Sequence, residues 1–357
     1  MITPPKILSP NPASVRGQLF RVAVVGAASL KGKEVAEVLN ERHFPATDVR
    51  LMDDDDQAQG QLEALGDEVS FIQGVRAEQF EHVDFSFFAG DAQSTRRSWK
   101  IARDAGCTII DLSGALEGES GTSVRSVWTE RELGVVPQPD LQPGPCVVPH
   151  PGAIMLALLL LRLRKAGPLV HAVATLHEPA SEIGQKGMDE LHQQTVNLLS
   201  FQPLPKDVYD AQIAFNLLPR YGVSAENSLA AIEARILRDL QRIGGPESLL
   251  ASLNLLQAPV FHGLAVSLFI ELQRTVNMDG VAKAIGGDHI TVVADSDPPS
   301  NVSAAGQGDI LVSIQKDALR PNGFWLWAVA DNLRLAALNA VECAESLAST
   351  RPVGKIQ

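Results

Sequence analysis

A chain of 357 residues exceeds what one ordinary hydrophobic core organises, so two domains of roughly 150 to 200 residues are expected. Hydrophobic residues make up 45% and charged residues 20%, the balance of a globular protein rather than a disordered one. The 42 acidic residues against 30 basic ones give a formal net charge of -12, which repels nucleic-acid phosphates and anionic lipid and leaves small molecules and proteins as partners.

In chain order, residues 1–17 are rich in Pro and Ser without an apolar h-region and read as a flexible N-terminal arm. The β-branched run RVAVV (21–25) ends at Gly26, and the following KGKEVAEVLNERHF carries apolar residues at 35, 38 and 39: strand, tight turn, helix. Short apolar runs recur at 49–52, 83–90, 107–113 and 146–152 with helical or polar stretches between them, the signature of a parallel sheet covered by helices on both faces. After residue 150 the pattern changes to a long apolar helix (154–164), a strand (171–178) and a helix (about 186–200). Long strands of a mixed or antiparallel sheet follow over 253–272 and 310–315. The last segment reads as a strand and an apolar-faced helix returning to the first domain, so the expected division is 18–150 plus 331–357 against 151–330.

The longest apolar stretch, Gly152 to Leu161, is about half the length that crosses a bilayer and is followed by Arg162 and Arg164. Cys107, Cys146 and Cys343 have neither metal-ligand nor disulfide spacing, which fits a reducing compartment. A cytoplasmic protein is expected, with no membrane or nucleic-acid partner.

In VAVVGAASLKG, the residues Gly26, Ala27, Ala28, Ser29, Leu30 and Gly32 form a strand-to-helix turn of the kind whose N–H groups cradle a pyrophosphate. Ser29 stands where a middle glycine would allow the closest approach. Asp53, Asp54, Asp55 and Asp56 follow Gly32 by 21 to 24 residues; they read as a solvated acidic turn whose charge disfavours the extra phosphate of NADP. NAD or NADP is therefore expected to bind weakly.

Together with that loop, IDLSGAL, EIGQKGMDEL, QIAFNLLP (212–219) and VADNLRLAALNA (329–340) resemble the aspartate-semialdehyde dehydrogenase family over almost the whole chain. The resemblance implies an α/β protein: a Rossmann-like dinucleotide-binding domain plus an α+β catalytic and dimerisation domain of the semialdehyde dehydrogenase type. It also implies an NADP-dependent oxidoreductase of amino-acid biosynthesis, in which a cysteine thiol forms an acyl intermediate with exchange of phosphate and hydride.

The family's nucleophile position is Pro151 here, in VPHPGA, and proline has no nucleophilic atom; it reads instead as the first residue of a helix. The acid/base histidine position is Leu264. The two anion-binding arginine positions are Glu117 and Gln257, and the supporting glutamine is Glu178. The family's glutamate in AAIEARIL is retained as Glu233, while its lysine is Ile236. The pattern resembles the Usg-type branch, whose members lack the catalytic cysteine.

No catalytic residue is assigned. The nearby Cys146 reads as a buried strand residue. His262 and Leu264 would share a strand face, and His150, His177, His262 and Glu178 are the residues from which a metal site could be built in the vacated pocket, although His177 and Glu178 point apart; no metal is expected. The expectation is a homodimer, or a partner of an active paralogue, with a binding or structural role. The alternative is an NAD(P)-dependent oxidoreductase acting on an aldehyde by a non-standard route.

Overall fold

The structure is a computed structural model that describes residues 19–65, 68–140, 143–245, 251–275, 277–294 and 297–351; the arm expected over 1–17 lies outside them. The chain divides into two compact units, Met1–Pro149 with Ala336–Gln357, and His150–Leu335.

The first unit runs β1 (Phe20–Val25), α1 (Leu30–Glu41), β2 (Ala46–Asp53), β3 (Leu62–Leu65), β4 (Glu68–Phe71), β5 (Gln73–Gly74), β6 (Phe85–Phe88), α2 (Ala92–Asp104), β7 (Thr108–Asp111), β8 (Ser123–Val124), α3 (Val127–Leu133) and β9 (Cys146–Val147). Seven strands form one sheet in the order β5-β2-β1-β6-β7-β9-β8, and every pairing is parallel. This is why β1, β6 and β7 show no alternation of burial, with Arg21 the one exposed residue among them: strands covered on both faces have no solvent side to alternate with. The antiparallel hairpin of β3 and β4 stands apart from that sheet and was not foreseen from the sequence.

The second unit contains α4 (Pro151–Leu163), β10 (Leu169–Glu178), α5 (Gln185–Leu199), α6 (Leu229–Ile243), β11 (Ser252–Gln257), β12 (Leu264–Leu272), α7 (Met278–Ile285), β13 (Ile290–Val292), α8 (Asn301–Ala304), β14 (Ile310–Lys316) and β15 (Gly323–Ala330). Its six strands are ordered β11-β10-β12-β15-β14-β13 with mixed directions. All thirteen residues of α4 are buried, as an all-round apolar helix requires; Arg162 is accommodated because its guanidinium donates to the carbonyls of Ile285 (2.9 Å) and Asp288 (2.7 Å). The final helix, α9 (Asn332–Thr350), starts where the Asp331 carboxylate accepts from the N–H groups of Leu333 and Arg334, and from Ala336 onward it belongs to the first unit.

Two expectations are corrected. The stretch 253–272 is not continuous strand: β11 and β12 are parted by residues 258–263, where Gly263 takes φ +86°. His262 therefore lies outside the strand, and the shared face inferred for it and Leu264 does not exist. Nor is the acidic turn solvated throughout. Asp53 is buried because its carboxylate accepts from the N–H groups of Ala28 (3.1 Å) and Asp55 (3.0 Å), which replaces water as its hydrogen-bond partner.

Candidate functional site

The candidate site begins at the first turn of α4. Pro151 is its first helical residue, where a missing N–H leaves no bond unmade. His150 caps the helix: its Nδ1 accepts from the Gly152 N–H (3.1 Å), and its own N–H donates to Asp239 Oδ2 on α6 (2.9 Å). A neutral ring with Nδ1 accepting carries its hydrogen on Nε2. That nitrogen lies 3.2 Å from Glu178 Oε1 and 3.9 Å from Glu182 Oε2.

Glu178 ends β10 and is fully buried, sharing with Ala174 and Leu176 the face that alternation along the strand buries. In the parallel register its neighbour on β11 is Gln257. The Gln257 amide donates to the carbonyls of Glu178 (2.9 Å) and Ala258 (3.0 Å), and its Oε1 accepts from the Tyr221 hydroxyl (2.7 Å). Burial, and after it the carboxylate of Glu178, push the Tyr221 phenol far above its ordinary range, so it serves as a neutral donor. Glu182 follows one short 3-10 turn later, and its Oε1 accepts from the Asn332 amide (3.1 Å); the same Asn332 accepts from the Gly263 N–H (3.1 Å). Sequence reasoning missed Glu182, Tyr221 and Asn332. The spacing of Glu182 four residues after Glu178 in TLHEPASE was the available signal, since a turn brings such a pair to one side.

The remaining candidate positions have separate surroundings. Leu264, at the start of β12, is fully buried, and its Cδ2 would stand 3.4 Å from a side chain added at Gly152; the Leu176 methyl would stand only 2.5 Å away. Two leucines thus fill the space beside the turn that begins at Pro151. Glu233 on α6 accepts from the Leu255 N–H of edge strand β11 (2.8 Å), and Ile236 is core. His177 points to the opposite face of β10, where its ring meets Trp327 with centroids 5.9 Å apart. Burial lowers its pKa, partly offset by a hydrogen bond to Ala265. Of the residues considered for a metal, His150 and Glu178 come together, with Glu182 rather than His177 or His262 as the third: one ligand atom from each lies within 4.8 Å of the others.

In the first unit, Gly26 adopts φ +80°, and a Cβ there would lie 2.3 Å from Gly90 N, so only glycine permits this turn. Five N–H groups of the loop are bonded within the first unit: those of Gly26 and Ala27 donate to Met52 O, that of Ala28 to Asp53, that of Ser29 to Gly26 O, and that of Gly32 to the Ser29 hydroxyl, which caps α1. Leu30 opens the helix. Asp54 pairs with Arg97, and Glu117 lies half-buried after β7. The three cysteines are buried. The Cys343 thiol is raised well above its usual range by its hydrogen bond with Cys146 and then by burial, so it is not a thiolate.

Comparison with known proteins agrees with this architecture. Residues 21–149 match a family model described as semialdehyde dehydrogenase, NAD binding domain, and residues 160–335 one described as semialdehyde dehydrogenase, dimerisation domain. A protein of Pseudomonas aeruginosa named USG-1 protein homolog is 33% identical over 334 residues, covering 92% of this chain and 98% of that protein. The aspartate-semialdehyde dehydrogenase of Rickettsia bellii is 28% identical, covering 93% and 98%. Among solved structures, a probable aspartate-semialdehyde dehydrogenase from Pseudomonas aeruginosa superposes with a TM-score of 0.80 at 31% identity, covering 92% of this chain and 98% of that one. Aspartate semialdehyde dehydrogenase II of Vibrio cholerae, solved with ASA bound, gives 0.81 at 26%, covering 93% and 98%. With both family domains matched in order along one chain, this protein belongs to the semialdehyde dehydrogenase family.

Proposed function

We propose that this protein is a member of the family without acyl-transfer catalysis, acting as a dimeric binding or structural protein. The observation that carries the reading is the packing of Leu176 and Leu264 against Gly152, directly beside Pro151. At the positions that the resemblance assigns to nucleophile and acid/base there are a ring without a reactive atom and an isobutyl group, neither of which accepts or donates a proton. Gln257, in place of an anion-binding arginine, is committed to two backbone carbonyls and Tyr221, and Glu178 adds a negative charge where an anionic substrate would need a neutral or positive group.

Homodimerisation through the second unit accords with the dimerisation-domain match, and pairing with an active paralogue is the second form of the same reading. Nucleotide, NAD or NADP, is bound weakly if at all through Gly26, Ala27, Ala28, Ser29, Leu30 and Gly32. The hydrogen bonds that close this loop on itself use N–H groups that a pyrophosphate would otherwise receive, and Asp53 serves the loop rather than a ribose. On this reading the protein is cytoplasmic and its ligand is not the semialdehyde.

The test is phosphate-dependent reduction of NADP by aspartate semialdehyde. Turnover below about 0.001 per second is expected, and about 1 per second or more, the ordinary enzymic range, would overturn the reading.

A further inference from the structure

We propose that His150, Glu178 and Glu182 form a binding site for one divalent cation, zinc or manganese, in the second unit; the proposal deepens the binding reading above and rests on it, since it supplies that site with a ligand.

Three observations carry it. The first is geometry. His150 Nε2 lies 3.2 Å from Glu178 Oε1 and 3.9 Å from Glu182 Oε2, and one donor atom from each residue lies within 4.8 Å of the others. Ligands about 2.0 to 2.2 Å from a tetrahedral centre stand about 3.4 Å from one another, so small side-chain movements close this set around an ion. The second is an unsatisfied group. Glu178 is fully buried and its Oε2 has no hydrogen-bond partner, an arrangement costly for a carboxylate unless a cation completes it. The third is the surrounding shell. The Asn332 amide holds Glu182 Oε1 at 3.1 Å, which leaves Oε2 toward the histidine, and the Gln257 amide fixes the Glu178 backbone carbonyl at 2.9 Å. Outer donors of this kind orient ligating carboxylates.

The donor chemistry selects the ion. One imidazole favours zinc, and two carboxylates suit manganese as well; no thiolate or thioether is in the set to favour copper(I). Loading has one structural consequence. The hydrogen on His150 Nε2 must leave for the cation to bind there, and it passes to Nδ1, so the Gly152 N–H to Nδ1 bond breaks as the ion enters.

The full chain, stripped with a chelator, is titrated with zinc and with manganese in a calorimeter, beside His150→Asn, Glu178→Gln and Glu182→Gln. Asn still caps α4 through its side-chain oxygen while removing the nitrogen ligand, so His150→Asn is expected to fold. The expected result is one ion per chain at micromolar concentration or tighter and a loss of about tenfold or more in affinity in each variant. Cobalt provides a reading that needs no variant: with the wild-type protein, the intense visible bands of a four-coordinate N/O site are expected. Absence of binding at 100 micromolar metal, the weak spectrum of six-coordinate aqueous cobalt, or unchanged affinity in Glu178→Gln each overturns the site. Semialdehyde turnover is measured on the same samples: turnover contradicts the non-catalytic reading, whereas no turnover with no metal leaves that reading standing and removes only the ion.

Discussion

At the scale of single residues, the side chains of the site are committed to one another. Gln257 illustrates this best, because the donors and the acceptor of its amide are all used. The Tyr221 hydroxyl that completes it is buried, and Tyr209, held beside it ring to ring with centroids 5.2 Å apart, is raised likewise by burial first and then by Glu190. Folded-state pKa values raised above the unfolded value of 10.0 favour the protonated phenols, so their contribution to stability is fully present below pH 10 and is lost as the pH rises above it. Unfolding free energy measured by urea titration is therefore expected to fall between pH 10 and 11 and to fall less steeply in Tyr221→Phe; equal slopes would contradict the assignment of neutral buried phenols.

Which residues the sequence disclosed follows from how local their signals are. Pro151 starting a helix and His177 pointing away from Glu178 depend on their own backbone and were legible. Asp53 was misread because the Ala28 N–H it binds comes from another element. His262 was misread because only a left-handed Gly263 tells where β12 begins.

At the scale of elements, α4 decides whether the site exists at all. It presents apolar side chains in every direction, and a helix of this kind is stable only when surrounded. Leu158, fully buried at its centre, is expected to cost about 2 to 5 kcal/mol when truncated to Ala, measured by denaturant titration; a change under about 0.5 kcal/mol would show that the helix is not interior. The parallel sheet was legible from its short apolar runs, and the mixed sheet from its longer ones. The break at 258–263 and the β3–β4 hairpin were not read: the first is set by tertiary bonds from the Ser181 N–H to Phe261 O and from the Gly263 N–H to Asn332 Oδ1, and the second was passed over although the Gly66-Asp67 pair between LEAL and EVSF is a two-residue hairpin signal. The same bonds tie the end of β10 to the start of α9, so Glu178, Glu182 and Asn332 hold one geometry despite lying 154 positions apart along the chain at their extremes, from 178 to 332.

At the scale of the whole molecule, two family domains are matched in order, over residues 21–149 and 160–335. None of the described helices is long and apolar enough to cross a membrane. The overall charge of -12 disfavours polyanionic partners, and the candidate site in the second unit gathers two carboxylates around a histidine. A fold of this breadth carries family membership; what the protein does depends on the side chains set on that fold. The central claim is that no thiol of this protein forms an acyl intermediate, and it is tested most directly by intact-protein mass spectrometry after incubation with aspartate semialdehyde and NADP in the absence of phosphate. An unchanged protein mass with no NADPH formed is the predicted result. A mass increase equal to one aspartyl acyl group on Cys107, Cys146 or Cys343, with one equivalent of NADPH, would contradict it.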